Sequence, residues 1–240
     1  MEERLQKLIS AAHIASRRAA EKMILEGRVT VNGTRAQIGQ SADPARDEVR
    51  VDGVPLRFAG EHTYLILNKP RGYVTTLSDE RGRRTVAELV RGAGVRVYPV
   101  GRLDYDSDGL LLMTDDGALA HAMTHPSHEI NKTYRVAVRG NLSRALPLLR
   151  GPMELDGVPL RRARVEAAGE GCLDITIHEG RKRQVRRMCA LAGLTVSRLT
   201  RIAEGPLVLG DLPPRSWRKL SKTEEDAIKI AVFGGTQRNF

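Results

Sequence analysis

Residues 101–117, GRLDYDSDGLLLMTDDG, gather Asp104, Asp106, Asp108, Asp115 and Asp116 in one short run. Carboxylates so close together open three chemistries. They can bind a divalent metal, two of them can act as an acid/base pair on a glycosidic bond, or one can be a nucleophile. An EF-hand is excluded: Gly109 stands sixth from Asp104, but LLLMT follows and no glutamate closes the loop. The plainer alternative is a polar loop before a buried strand, with the aspartates in turn positions. His121, His125 and His128 lie close in sequence, but HAMTH lacks the glutamate of a zinc helix. They are expected at a helix end or on the surface, and no metal site is expected. Cys172 and Cys189 form no CxxC pair, and Cys189 sits at an apolar helix position, so it is expected in the core.

Cations are the second resource. Residues 178–201 hold seven Arg/Lys against the single acid Glu179. A buried aspartate stays ionised only beside such a cation. Arg17 and Arg18 stand at a helix start and Arg28 just beyond its end. Unpaired N–H groups there favour anions, and the arginine fork matches phosphate. A solvated helix face would carry the same residues. Over the whole chain 39 Lys and Arg oppose 29 Asp and Glu, a net charge of +10. That excess suits a polyanion, nucleic acid being the commonest, though a basic surface without such a partner has the same composition. The first ten residues are charged from the second onward, and no segment reaches the ~20 apolar residues of a membrane span. A cytoplasmic protein with reduced thiols is expected.

The elements that must position these groups follow from periodicity. Leu5, Leu8, Ile9 and Ala12 recur at helical spacing, as do Ala19, Ala20, Met23 and Ile24. Ser16 is a candidate N-cap without a full capping box, and Gly27 closes the second helix. VTVNG and DEVRVDGVPL are short strands turning at Asn-Gly and Asp-Gly. Residues 1–60 are therefore expected to form two helices on short strands. Beyond them, TYLIL runs into the breaker NKPRG, and GLLLMT, TYRVAVR and CLDITIHEG read as strands. Residues 84–91, LAHAMT and RQVRRMCALAGL read as helices, and VSRLTRIAEGPLVLG as two short strands. Without regular βαβ alternation this is an α+β protein with a mixed, largely antiparallel sheet. The domain scheme is 1–60, 61–222 and a polar tail 223–240 with one weakly helical stretch, EEDAIKIAV; the final TQRNF is expected to be mobile.

RLQKLISAAHIASRRAAEKMILEGRVTVNG resembles the S4 RNA-binding module over residues 3–56, with Ser16–Arg18, Gly27–Val29 and Val31–Gly33 at the module's characteristic points. The run at 101–117 resembles the signature of the ribosomal RNA pseudouridine synthases that carry an S4 module. ILNKPRGYV (66–74), NKTYRV (131–136) and HEGRKRQVRRM (178–188) resemble further segments of that family, in the family's order. The family often has Thr or Ser where this chain has Asp106 and Ser107.

The resemblance implies a central RNA-binding cleft and a cofactor-independent isomerase. It would convert a uridine of ribosomal RNA, free or in a pre-ribosomal particle, to pseudouridine, acting as a monomer; large-subunit (23S) RNA is favoured over 16S. It makes Asp104 the catalytic carboxylate. It pairs Asp104 with Arg186, with Arg183 as second choice, and lays the Tyr134 ring on a flipped uracil. Carboxylate attack at C1′ and proton removal at C2′ both remain open. Arg17, Arg18, Arg28, Lys69, Arg71, Arg102, Arg181 and Arg183 are the expected RNA contacts. On a strand, Arg102 would share a face with Asp104. Two rival readings are an RNA-binding or ribosome-assembly protein that has lost the reaction, and a metal-dependent nuclease that chelator would silence.

Overall fold

The structure is a computed structural model describing residues 1–58 and 60–234, so the expectation of a mobile TQRNF end lies outside the described residues. The chain divides into two compact units, Met1–His62 and Thr63–Phe240.

In the first unit, helices α1 (Leu5–Ala11) and α2 (Arg17–Leu25) bury Leu5, Leu8, Ile9, Ala20 and Ile24. These pack against valines of a four-stranded sheet. Its strands are β1 (Val29–Val31), β2 (Thr34–Arg35), β3 (Val49–Val51) and β4 (Val54–Pro55), in the order β2-β1-β3-β4. Ser16 caps α2, its Oγ accepting from the Ala19 amide at 3.2 Å. The Asn32-Gly33 and Asp52-Gly53 turns have positive φ at both residues, the condition for tight turns matching the strand twist.

The second unit is built on a nine-stranded sheet. Its main strands are β5 (Tyr64–Lys69), β6 (Asp108–Thr114), β7 (Lys132–Arg139), β8 (Arg164–Ala167), β9 (Cys172–Ile177), β10 (Thr195–Glu204) and β11 (Trp217–Lys219). Their order is β8-β9-β7-β10-β6-β5-β11. Only β10 against β6 is parallel along this path; the other pairings are antiparallel. β5 and β6 are buried from end to end, which is why they read as continuous apolar runs rather than alternating ones. Gly109 is required where β6 meets β10: its φ is +107°, and a Cβ there would lie 2.3 Å from the Arg201 carbonyl oxygen.

Helices α3 (Val86–Leu89), α4 (Gly117–Thr124), α5 (Leu142–Arg150), α6 (Gln184–Leu191) and α7 (Lys222–Phe233) complete the unit. Val185, Met188 and Cys189 of α6 pack with Val136, Leu173 and Ile175 of the sheet. VSRLTRIAEGPLVLG is one long strand, β10, followed by a two-residue pairing at 207–208, rather than two short strands. Residues 222–233, read from sequence as a polar tail with the weakly helical stretch EEDAIKIAV, form the full helix α7. A Ser221–Glu224 capping box starts this helix, and Ile228 and Val232 enter the core.

Candidate active site

The aspartate-rich run separates into different jobs. Asp116 caps α4, accepting from the Ala118 and Leu119 amides, and also takes the Tyr64 hydroxyl at 2.8 Å. Asp115 accepts from the Thr63 amide. Asp108 is 6% exposed and is met by the Arg198 Nε at 3.0 Å and the Thr200 hydroxyl. These three are structural, as the turn-and-strand reading has it. Asp104 and Asp106 lie on the loop before β6, with their side chains 38% and 35% exposed.

That loop is fixed through its backbone. β5 pairs with β6 in a register that sets Lys69 opposite Gly109, next to the loop's end. The Lys69 Nζ donates to the carbonyls of Asp104 (2.9 Å), Ser107 (2.9 Å) and Pro70 (3.2 Å). The Thr75 hydroxyl donates to the Leu103 carbonyl and accepts from the Leu103 amide, and the Gly72 amide donates to the Tyr105 carbonyl. The NKPRGYV segment is thus a cradle for the Asp104 loop. Lys69 is fully buried, so the expectation that it touches RNA phosphate is corrected. All its hydrogen bonds go to protein carbonyls, those of Asp104, Ser107 and Pro70. Burial pushes its pKa down to about 8, against the pull of the Asp108, Asp104 and Asp106 carboxylates.

Asp104 opens on a cleft of about 920 Å³ whose walls carry more arginine and lysine than aspartate and glutamate. Arg102 lines it from a segment that belongs to no strand; its neighbour Leu103 is buried while Arg102 is exposed. Tyr134 of β7 lines the cleft too, its ring packed against the two hydrophobic clusters beside it.

The arginine assignments need one correction. Arg186 does not pair with Asp104. Its Nη2 donates to the Asp106 carbonyl at 2.8 Å and lies 3.4 Å from the Asp106 carboxylate. Arg183 is the cation at Asp104, with Nη1 3.8 Å from its Oδ2. Arg183 also forms a two-pronged pair with Asp106 at 2.9 and 2.8 Å, which holds the Asp106 carboxyl below the usual range. Arg183 reaches across because it takes the left-handed conformation at the start of α6, φ 53°. Asp106, which family variation left without a role, is therefore the anchor of both arginines.

Arg181 lines the cleft but spends its fork on Glu179 and on the carbonyls of Val158 and Pro159. Arg71 is exposed, with one long bond of 3.5 Å to the Ser197 carbonyl. In the first unit Arg17 and Arg18 stand exposed on the first turn of α2, whereas Arg28 is engaged by Asp52 (2.9 and 2.6 Å) and Glu26. The three histidines are exposed, with ring centroids 5.3 and 6.2 Å apart along the series. Among the described residues no His/Cys/Asp/Glu group is arranged to hold a metal ion, and no helix is long and apolar enough to cross a membrane.

Sequence reading missed Lys132, Arg201 and Glu204, which also line the cleft. Lys132 is two residues from Tyr134 on the same strand, a signal that was available. Arg201 and Glu204 are three apart on β10, a spacing that should put them on opposite faces. A bulge at Thr133/Tyr134 shifts the register, so Tyr134 pairs with Arg201 and Lys132 with Glu204.

A family model described as RNA pseudouridylate synthase matches residues 63–191, and an S4 domain model matches residues 3–42. An RNA pseudouridine synthase of Mycobacterium leprae is 47% identical over 231 residues, 92% of this chain and 90% of that protein. Ribosomal large subunit pseudouridine synthase B of Bacillus subtilis is 38% identical over 245 residues, 97% of this chain and 98% of that protein. A crystal structure of a pseudouridylate synthase, 31% identical, superposes with a TM-score of 0.66 over 94% of this chain and 99% of that one.

Proposed function

Since the chain belongs to the RNA pseudouridylate synthase family and its first unit to the S4 domains, we propose that it isomerises a uridine of large-subunit (23S) ribosomal RNA to pseudouridine with Asp104 as the catalytic carboxylate. The observation that carries this reading is the placement of Asp104. Its backbone is clamped by Lys69 and its carboxylate faces a basic cleft beside Arg183 and Tyr134. The 23S substrate is supported by the relatives named for that subunit in Bacillus subtilis and Pseudomonas aeruginosa.

The reaction breaks the C1′–N1 bond, turns the uracil and forms a C1′–C5 bond, with the C5 proton released to N1 or water. No electrons are exchanged and no water is consumed. Asp104 either adds to C1′ or removes the C2′ proton. Both routes use the same ionised carboxylate, whose charge Arg183 steadies. A base inside a helix hides its sugar edge, so the nucleotide must swing out. The Tyr134 ring supplies the stacking surface, worth ~1–3 kcal/mol. The S4 unit adds affinity for structured RNA through Arg17 and Arg18. The enzyme is taken to work as a cytoplasmic monomer on ribosomal RNA or a pre-ribosomal particle.

The test is a pseudouridine map of ribosomal RNA from cells with and without the gene, followed by modification of a 23S transcript by purified protein. A single 23S uridine should lose its modification on deletion and regain it with protein added. A missing site in 16S RNA, or none anywhere, overturns the assignment.

A further inference from the structure

We propose that the buried Arg201–Glu204 ion pair is a positioning device for Tyr134, fixing the phenol so that its hydroxyl hydrogen points into the cleft toward the target base. The inference rests on the reading above and extends it to two residues that the aspartate and arginine motifs do not include.

Arg201 and Glu204 are each 1% exposed. The Arg201 Nε donates to the Leu110 carbonyl at 2.8 Å, tying the guanidinium to β6. Its Nη2 lies 3.2 Å from the Glu204 Oε2, yet the two are misaligned: both atoms are sealed from solvent and neither has a hydrogen-bond partner. A buried pair retained for stability alone would be expected to satisfy these atoms, because each buried polar atom left unmet costs free energy. Apolar side chains of similar size commonly serve stability as well or better.

The pair's neighbours give it a purpose. The strand register sets Arg201 directly beside Tyr134 and Glu204 beside Lys132, and all four line the cleft. Burial pushes the Tyr134 phenol up, so it keeps its proton, while Arg201 beside it pulls the other way. A guanidinium has only donors. A phenol oxygen that meets Arg201 therefore accepts, which leaves its own hydrogen for another acceptor in the cleft, such as an oxygen of the bound nucleotide. Glu204 supplies the opposite charge that keeps the Arg201 guanidinium in this buried place. Lys132, whose Nζ donates to the Ile130 carbonyl at 3.1 Å, balances the charge of Glu204. Arg201 and Glu204 act through Tyr134 rather than on the substrate.

A double-mutant cycle under single-turnover conditions on a 23S transcript tests this. Glu204→Gln should slow the parent enzyme about tenfold or more, with the RNA dissociation constant within threefold. In a Tyr134→Phe background the same change should have less than a twofold effect, because the hydroxyl it positions is gone. Equal slowing in both backgrounds overturns the inference. Where Glu204→Gln fails to fold, or Tyr134→Phe is too slow to time, the paired replacement Arg201→Met with Glu204→Leu decides. Slow turnover with the parent's melting temperature and RNA affinity supports positioning; turnover within threefold of the parent shows a structural pair and overturns it. A parent enzyme that makes no pseudouridine overturns both this inference and the function beneath it, and so separates the two failures.

Discussion

In the S4 unit Arg17 and Arg18 stand in solvent on the first turn of α2, whereas in the catalytic unit Lys69 and Arg201 are sealed from it and donate to backbone carbonyls of Asp104, Ser107 and Leu110. The same charge thus does two kinds of work. An exposed guanidinium loses little hydration until an anion arrives, so it contributes affinity and salt dependence. A buried cation has already lost its water, so it must be satisfied inside the fold, and it fixes whatever satisfies it. The first unit is expected to tune how tightly RNA is held. The second is expected to determine whether a carboxylate is correctly placed when RNA is there.

The sharpest way to break this division is Asp104→Asn. The amide keeps the shape and the loop's backbone clamps but loses the negative charge. Turnover on a 23S transcript should fall by about three orders of magnitude or more, with the dissociation constant nearly unchanged. Equal loss of rate and affinity, measured by single-turnover modification and filter binding, would show that the cleft does not separate the two tasks.

Next in size is Lys69→Met, which fills the same space and removes the ammonium. The carbonyls of Asp104, Ser107 and Pro70 then lose their buried donor. The expected cost is about 2–4 kcal/mol, a fall of about 5–15 °C in the melting temperature. RNA affinity should change far less than it would if Lys69 held a phosphate. A variant that melts with the parent and binds RNA weakly would restore the phosphate contact corrected above.

What the sequence disclosed follows the same line. Short-range signals were readable: the Ser16 cap, the Asn32-Gly33 and Asp52-Gly53 turns, the strand holding Leu110–Met113 and the helix beginning at Gln184 all rest on local patterns. Asp104 was singled out through its motif. Partners fixed by long-range register were not readable. Lys69 looks like any loop lysine until β5 is paired with β6 and its Nζ falls among the loop's carbonyls. Arg186 was assigned to Asp104 because the motif joins them, but the left-handed turn at Arg183 brings Arg183 to the aspartates and leaves Arg186 on the Asp106 carbonyl. Arg201 and Glu204 share a face only because of a bulge, which periodicity does not reveal. The helical stretch EEDAIKIAV was readable, but its polar composition hid that it docks on the core, since Ile228 and Val232 are its buried residues.

Smaller effects are expected in the first unit. Replacing Arg17 and Arg18 with alanine should weaken RNA binding about tenfold at moderate salt and flatten the plot of log affinity against log salt by about 1.5, as two phosphate contacts are lost. The rate of modification at saturating RNA should hold within about threefold. An unchanged slope would mean that these arginines are only a solvated helix face, and the contrast between the units would lose its first half.

The smallest expected effect belongs to Arg28, which the sequence grouped with Arg17 and Arg18. Its fork is occupied: Nε and Nη2 meet the two Asp52 oxygens at 2.9 and 2.6 Å, and Nη1 meets Glu26 at 3.3 Å. A phosphate would have to displace a carboxylate that already matches the fork, so its net attraction to Arg28 is small. Exchanging Arg28 for glutamine should therefore alter RNA affinity by less than about threefold and the salt slope by less than about 0.5. The exposed ion pair should be worth little to the fold, with the melting temperature within about 2 °C of the parent. A loss of affinity as large as that of the Arg17/Arg18 variant would show that RNA opens the Asp52 pair, and that an arginine in the S4 unit need not be free beforehand in order to bind.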